Sequence, residues 1–410
     1  MVLDPDAEGL KFEIDQEVST GTKFKVIGVG GGGSNAVARM MREGLDGVDF
    51  YVINTDTQAL EAAPVPNKLA IGTKLTHGLG AGSDPALGRE SALEDTKLIV
   101  DILEGADMVF VTAGLGCGTG TGATPVVCSL AKELGALTVA VVTLPFSFEG
   151  SQRMQQAMRG LEELVSTVDT VIPIYNDHLL ELVPRGTSFG EAFLVADDVV
   201  RQAVQGISDI ISKTGLINRD FSDIRATMQG MGYALMGTAS ATGEHAAVEA
   251  ARLAINSPLM QEAGIEGARS VLVNITGSDR LALHDVHEAC SLIREAARND
   301  EVQVNFGVAL NESMNDTVKV TVIATGFPHG VLDSIPRHKA EPKAAVTRPT
   351  VAPVEPPAQE PEMQEAPEPE PEPEPELEIK PPEEPPAPEP PEVGDDIDTP
   401  AYLRRDKLLF

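Results

Sequence analysis

The sequence predicts an α/β fold built on a parallel sheet, then a long helix, then a second, α+β unit and an acidic proline-rich tail. Three observations predict it. From residue 24 to about 175, short β-branched and apolar runs alternate with helical patterns, the signature of a parallel sheet covered by helices on both faces. Between 190 and 214 apolar residues recur at spacings of three, four and seven, as on one face of a helix. Residues 341–392 hold 18 of the 30 prolines and 15 glutamates against three basic residues, a composition that cannot bury a core.

A chain of 410 residues accommodates two folded units plus a tail. Residues 1–20, with "MVLDPDAEGLKFEID", have neither a basic start nor an apolar centre and read as a flexible segment rather than a leader. A first domain is expected over 21–189, with strands "FKVIGV", "VDFYVIN", "MVFVTAG", "LTVAVVTL" and "DTVIPIY" and helices such as "SNAVARMMREGL" and "TGATPVVCSLAKELG". The central helix is expected over 190–214, and a polar loop over 215–223 follows it. The α+β unit is expected over 224–335, with strands "SVLVNIT", "VQVNFGVAL" and "VKVTVIAT" and helices "EHAAVEAARLAI" and "LHDVHEACSLIREAA". Residues 336–392 read as an extended, self-repelling linker. Residues 393–410 regain apolar and basic character in "DDIDTPAYLRRDKLLF" and read as a docking peptide.

The net charge of −32 argues against nucleic acid as a ligand, because backbone phosphates are bound by clustered Lys and Arg. The longest apolar run, around "ALTVAVVTLPF", falls short of the roughly 18 residues of a membrane span. Cys117, Cys128 and Cys290 share no ligand spacing and cannot all pair, which suits a reducing, cytoplasmic setting.

Chemistry concentrates in two glycine clusters, each after a strand. "VIGVGGGGSNAV" fits G-x-G-x-x-G through Gly28, Gly30 and Gly33, but the second strand ends at Asn54, and the nearest acid past it is Asp56. "AGLGCGTGTGATPVV" forms the second cluster, and two loops at neighbouring strand ends suit two flanks of one polyphosphate. Glycines let backbone amides approach phosphate oxygens, the following helix, expected from about Thr121, offers its positive end, and Thr119 and Thr121 add hydroxyls. No glycine in the chain is followed by Lys, so a P-loop is absent and the cradle relies on amides, helix ends and Mg²⁺.

These residues resemble the FtsZ family of tubulin-like bacterial GTPases, which polymerise into the cell-division (Z) ring. The family's phosphate signature is matched by Gly116, Cys117, Gly118, Thr119, Gly120, Thr121 and Gly122, and its amino-terminal loop by Gly31, Gly32, Gly33, Ser34 and Asn35. "AGSDPALG" over 81–88 matches a further family loop. The resemblance implies a tubulin-like nucleotide-binding domain, with Glu149 on the ribose, Arg153 near the nucleotide, and Asn35, Asn176, Phe193 and Asp197 around the guanine. An Asp carboxylate can accept from guanine N1–H and N2–H while an aromatic face stacks, which disfavours adenine. Cys117 replaces a signature glycine and implies an ordinary backbone conformation there; Tyr175 stands where many members have Pro.

Hydrolysis needs a positioned water and an acidic group opposite the cradle, and the glycine loops hold no carboxylate for it. Asn218, Asp220 and Asp223 cluster in "TGLINRDFSDIRATM", where Ser222 reads as a helix cap. In the family this loop enters the next subunit's pocket, so the resemblance implies head-to-tail homopolymers with a site shared by two chains. It implies GTP and GDP as ligands with Mg²⁺, and the tail "IDTPAYLRR" as the contact for membrane-tethering and regulatory division proteins, without direct membrane insertion. The chain is expected at the division site. Two rival readings stay open: an NAD(P)-dependent oxidoreductase on Gly28, Gly30 and Gly33, and a noncatalytic scaffold.

Overall fold

The computed structural model describes residues 22–45, 47–184, 186–212, 220–260 and 264–327. In chain order the elements are β1 (Phe24–Val29), α1 (Gly30–Arg42), β2 (Val48–Asn54), α2 (Thr57–Ala62), β3 (Asn67–Ala70), α3 (Thr73–Thr76), α4 (Pro85–Glu94), α5 (Thr96–Leu103), β4 (Met108–Gly114), α6 (Gly118–Glu133), β5 (Leu137–Leu144), α7 (Ser151–Thr167), β6 (Thr170–Tyr175) and α8 (Asn176–Leu182). They continue with α9 (Phe189–Ser212), α10 (Phe221–Met228), β7 (Gly232–Thr242), α11 (Ala246–Ile255), β8 (Ser270–Gly277), α12 (Leu283–Ala296), β9 (Gln303–Leu310) and β10 (Thr317–Thr325). The expected segment 1–20, Asn218, the linker 336–392 and the docking peptide 393–410 lie outside the described residues.

The strands form a ten-stranded sheet in the order β3-β2-β1-β4-β5-β6-β7-β10-β8-β9. From β3 to β6 every pairing is parallel. Buried on both faces, β1 and β5 read as nearly continuous apolar runs, as parallel strands do. Helix α9 crosses beneath this sheet through Val200, Ala203, Val204 and Ile207, all buried. Beyond it, β7 joins β6 through Thr170↔Gly232 and Val171↔Tyr233 and then pairs antiparallel with β10, so the second half is mixed α+β. Among the described residues no helix is long and apolar enough to cross a membrane.

The eleven residues of β7, "GYALMGTASAT", carry a strand that β-propensity does not announce. Their smallness has a packing cause: a Cβ on Gly237 would lie 2.0 Å from the Ala254 carbonyl oxygen, so α11 rests its backbone almost directly on β7. Two expected boundaries are corrected. Helix α6 starts at Gly118 rather than near Thr121, its amino end lying inside the glycine cluster. Asp220, not Ser222, caps α10, its Oδ1 accepting the Asp223 N–H at 2.9 Å.

Candidate functional site

Strands β1 and β4 are neighbours and end at the same edge of the sheet; β1 runs directly into α1, and a three-residue turn, Leu115–Cys117, joins β4 to α6. Val29 precedes α1 and Cys117 precedes α6; neither provides a side-chain cap, and neither helix has an acid in its first turn. Elsewhere Asp56, Asp84 and Asp220 cap their helices. Two uncapped amino ends side by side present unpaired N–H groups and the positive ends of two helix dipoles, which suits an anion.

The glycines of this cradle pack one loop against another. A Cβ on Gly120 would lie 2.4 Å from the Gly114 carbonyl oxygen, and one on Gly33 would lie 2.2 Å from that of Thr112. Gly118 faces Ala81 and Asp84 of the 81–88 loop, and Gly88 faces Gly118 in return. Gly32 is exposed close to the Gly114 backbone; Gly122 lies against the Pro85 carbonyl. Gly31 differs: it is exposed, and nothing lies within 4 Å of where its Cβ would be.

The hydroxyls divide by role. Ser34 donates to the Gly30 carbonyl at 2.8 Å, which spends its proton. Thr121 accepts the Gly116 N–H at 2.8 Å and keeps its own proton. Buried Thr119 shares a 2.6 Å hydrogen bond with Thr55, a partner whose signal in sequence was only its place just after β2. Cys117 has φ −112° and ψ 174°, an ordinary extended backbone.

A second group surrounds Phe146, an anchor missing from the sequence reading and nearly inaccessible at 1%. The Phe193 ring meets it edge-on at 5.3 Å between centroids. Glu149 Oε1 accepts the Phe146 N–H at 2.8 Å, and its Oε2 pairs with Arg153 at 2.7 Å. Asp177 accepts the Ser147 N–H at 2.9 Å and ties this segment to α8. Asn176, at the start of α8, is buried with Oδ1 lacking a hydrogen-bond partner. Such an oxygen is costly unless a ligand pairs with it.

Asp197 lies one turn beyond Phe193 on α9. Burial pushes its carboxyl up to about 6, against the pull of Arg39 and Arg42 on α1. Asn35 precedes Arg39 by one turn on the same face of α1 and is exposed. Asp56 Oδ1 accepts the Ala59 N–H at 3.0 Å as the cap of α2.

Asp220 and Asp223 are elsewhere. Helix α10 lies under the opposite edge of the sheet: Arg225 reaches the carbonyls of Asp107 and Gly135 at 3.5 and 3.4 Å, just before β4 and β5 begin, and Thr170 at the start of β6 donates to the Met228 carbonyl. The glycine loops follow the far ends of those strands. The seven residues of β4 separate the two edges by roughly 20 Å. One chain therefore does not bring its acids to its own cradle.

Residues 23–184 match the Tubulin/FtsZ family GTPase domain, and residues 232–328 match the FtsZ family C-terminal domain. An empty FtsZ dimer from M. jannaschii is 42% identical, with a TM-score of 0.70, over 74% of this chain and 88% of that one. A mutant FtsZ from the same organism gives 42% identity and a TM-score of 0.71 over 75% and 92%. CetZ2 from Haloferax volcanii, solved as a GTPgS-bound protofilament, shares the fold at 24% identity and a TM-score of 0.66 over 75% and 94%.

Proposed function

This chain belongs to the FtsZ family, and from that premise we propose that it binds GTP, assembles head to tail into filaments of the division ring, and hydrolyses GTP at junctions between subunits. One observation carries the reading: the cradle and the acids occupy opposite edges of one parallel sheet. A chain built so completes its site only when a second copy stacks on it, and a heterologous contact that does not close makes a filament.

In this reading the amides at the starts of α1 and α6, with Gly31, Gly32, Gly33, Gly118, Thr119, Gly120, Thr121 and Gly122, cradle the phosphates. Glu149 accepts from the ribose and Arg153 faces the phosphates. Asn176, Asp197 and Asn35 read the guanine edge while Phe193 contacts its ring. Asp220 and Asp223, with Asn218, enter from the next subunit and orient the attacking water. Mg²⁺ supplies neutralisation of phosphate charge when bound. Among the described residues no group of three or more His, Cys, Asp or Glu is placed to hold a metal ion, and Asp220 and Asp223 would help position the cation beside the phosphates. The carboxyl-terminal peptide 393–410 docks to membrane-tethered and regulatory division proteins, with 336–392 as spacer, holding the cytoplasmic filament at the division site.

Light scattering and phosphate release, followed in one sample with and without GTP, test the proposal. Scattering and release that both require GTP are expected. Release without assembly overturns the filament, and assembly without release overturns the enzyme.

A further inference from the structure

Arg153 bridges two parts of the site. Its Nη1 pairs with Glu149 Oε2 at 2.7 Å, and its Nη2 donates to Cys117 Sγ at 2.8 Å. Glu149 is fixed in turn by the Phe146 N–H on its other oxygen. The arginine stem crosses Gly116, where a Cβ would lie 2.8 Å from Arg153 Cγ; Gly116 also has φ +95°, which favours glycine. Cys117 stands at the cap position of α6, yet its side chain makes no bond to the first turn. Its thiol goes to the arginine, and the helix amides stay open.

We propose that Cys117 is a positioning residue that parks the Arg153 guanidinium over the start of α6 before nucleotide arrives. The inference rests on the functional reading above. A cysteine suits the task because its sulfur is a weak acceptor: it directs the guanidinium, then yields it to phosphate oxygens, which bind it far more strongly. A glycine at 117 would leave the guanidinium held by Glu149 alone, so part of its ordering would fall on the binding step, at an entropic cost to affinity. Because Arg153 then meets the phosphates in ground and transition states alike, the effect falls on KM rather than kcat.

A double-mutant cycle of Cys117→Ala and Arg153→Ala, read by calorimetric GDP binding to the full chain, tests this, with steady-state GTP kinetics beside it. Cys117→Ala should weaken GDP about two- to tenfold and raise KM alike, with kcat within about twofold. The unfolding temperature of the nucleotide-free protein should not move. In the Arg153→Ala background the cysteine change should have no further effect, and Cys117→Ser, which restores an acceptor, should recover part of the loss. Additive losses, or full affinity in Cys117→Ala, overturn the role of the cysteine and leave the functional reading standing. A wild-type chain that binds no guanine nucleotide overturns both.

Discussion

The Asp223 N–H donates to the Asp220 carboxylate at 2.9 Å, so an acid proposed to serve a neighbouring nucleotide is also the cap of its own helix. The two roles separate by substitution. Asn caps as well as Asp, whereas Ala forfeits about 1 kcal/mol. Asp220→Asn should therefore keep the unfolding free energy within about 0.5 kcal/mol and lose GTP hydrolysis, while Asp220→Ala loses both. Denaturant titration beside phosphate release checks it. Normal turnover in Asp220→Asn would leave Asp220 as a cap alone.

Glycines of the cradle should respond oppositely to substitution. At Gly120 a Cβ would strike the Gly114 carbonyl, so Gly120→Ala should cost about 1–3 kcal/mol of stability. At Gly31 the side chain has open space in the first turn of α1, where an acid favours the helix dipole, so Gly31→Glu should fold normally. Its charge would meet the phosphates, and GDP affinity should fall at least tenfold by calorimetry. Unchanged affinity would mean that the space beside Gly31 is not the phosphate site.

Asp197 gives the site a pH signature with two opposite signs. Its carboxyl, raised by burial from 3.8 to about 6, favours the folded, empty protein through protonation: that contribution is full below about 3.8 and is lost as pH rises through about 6. Guanine binding needs the ionised form. GDP affinity should then drop about tenfold between pH 7 and pH 5, as the empty protein gains stability from this group. Asp197→Asn should flatten the dependence. A wild-type affinity that does not change across that interval would remove Asp197 from the guanine contact.

Much of this was legible in the chain because local and global signals agree. β1 is fully buried and β5 nearly so, so their apolar runs stand out, and the glycine clusters fall where strands end. β7 was hidden because the close approach of α11 demands small residues where propensity expects large ones. Glycine chemistry was legible only in outline: sequence reads Gly31 and Gly120 alike, but the first faces open space and the second a carbonyl. The separation of Asp220 from the cradle follows from strand direction and from where α10 docks, and no motif carries that.

Because the cradle and the acids lie on opposite edges of the sheet, two defective chains should complement each other. Gly31→Glu spoils the cradle and leaves the acids; Asp220→Asn spoils an acid and leaves the cradle. Neither alone can form a competent junction. Mixed in equal amounts with random pairing, about a quarter of junctions would join an intact cradle to intact acids, and GTPase activity should return toward that fraction of wild type. Wild-type specific activity should also climb with protein concentration past an assembly threshold, since a lone chain holds half a site. Activity that is flat with concentration, together with a mixture that stays inactive, would show that the acids act within one chain.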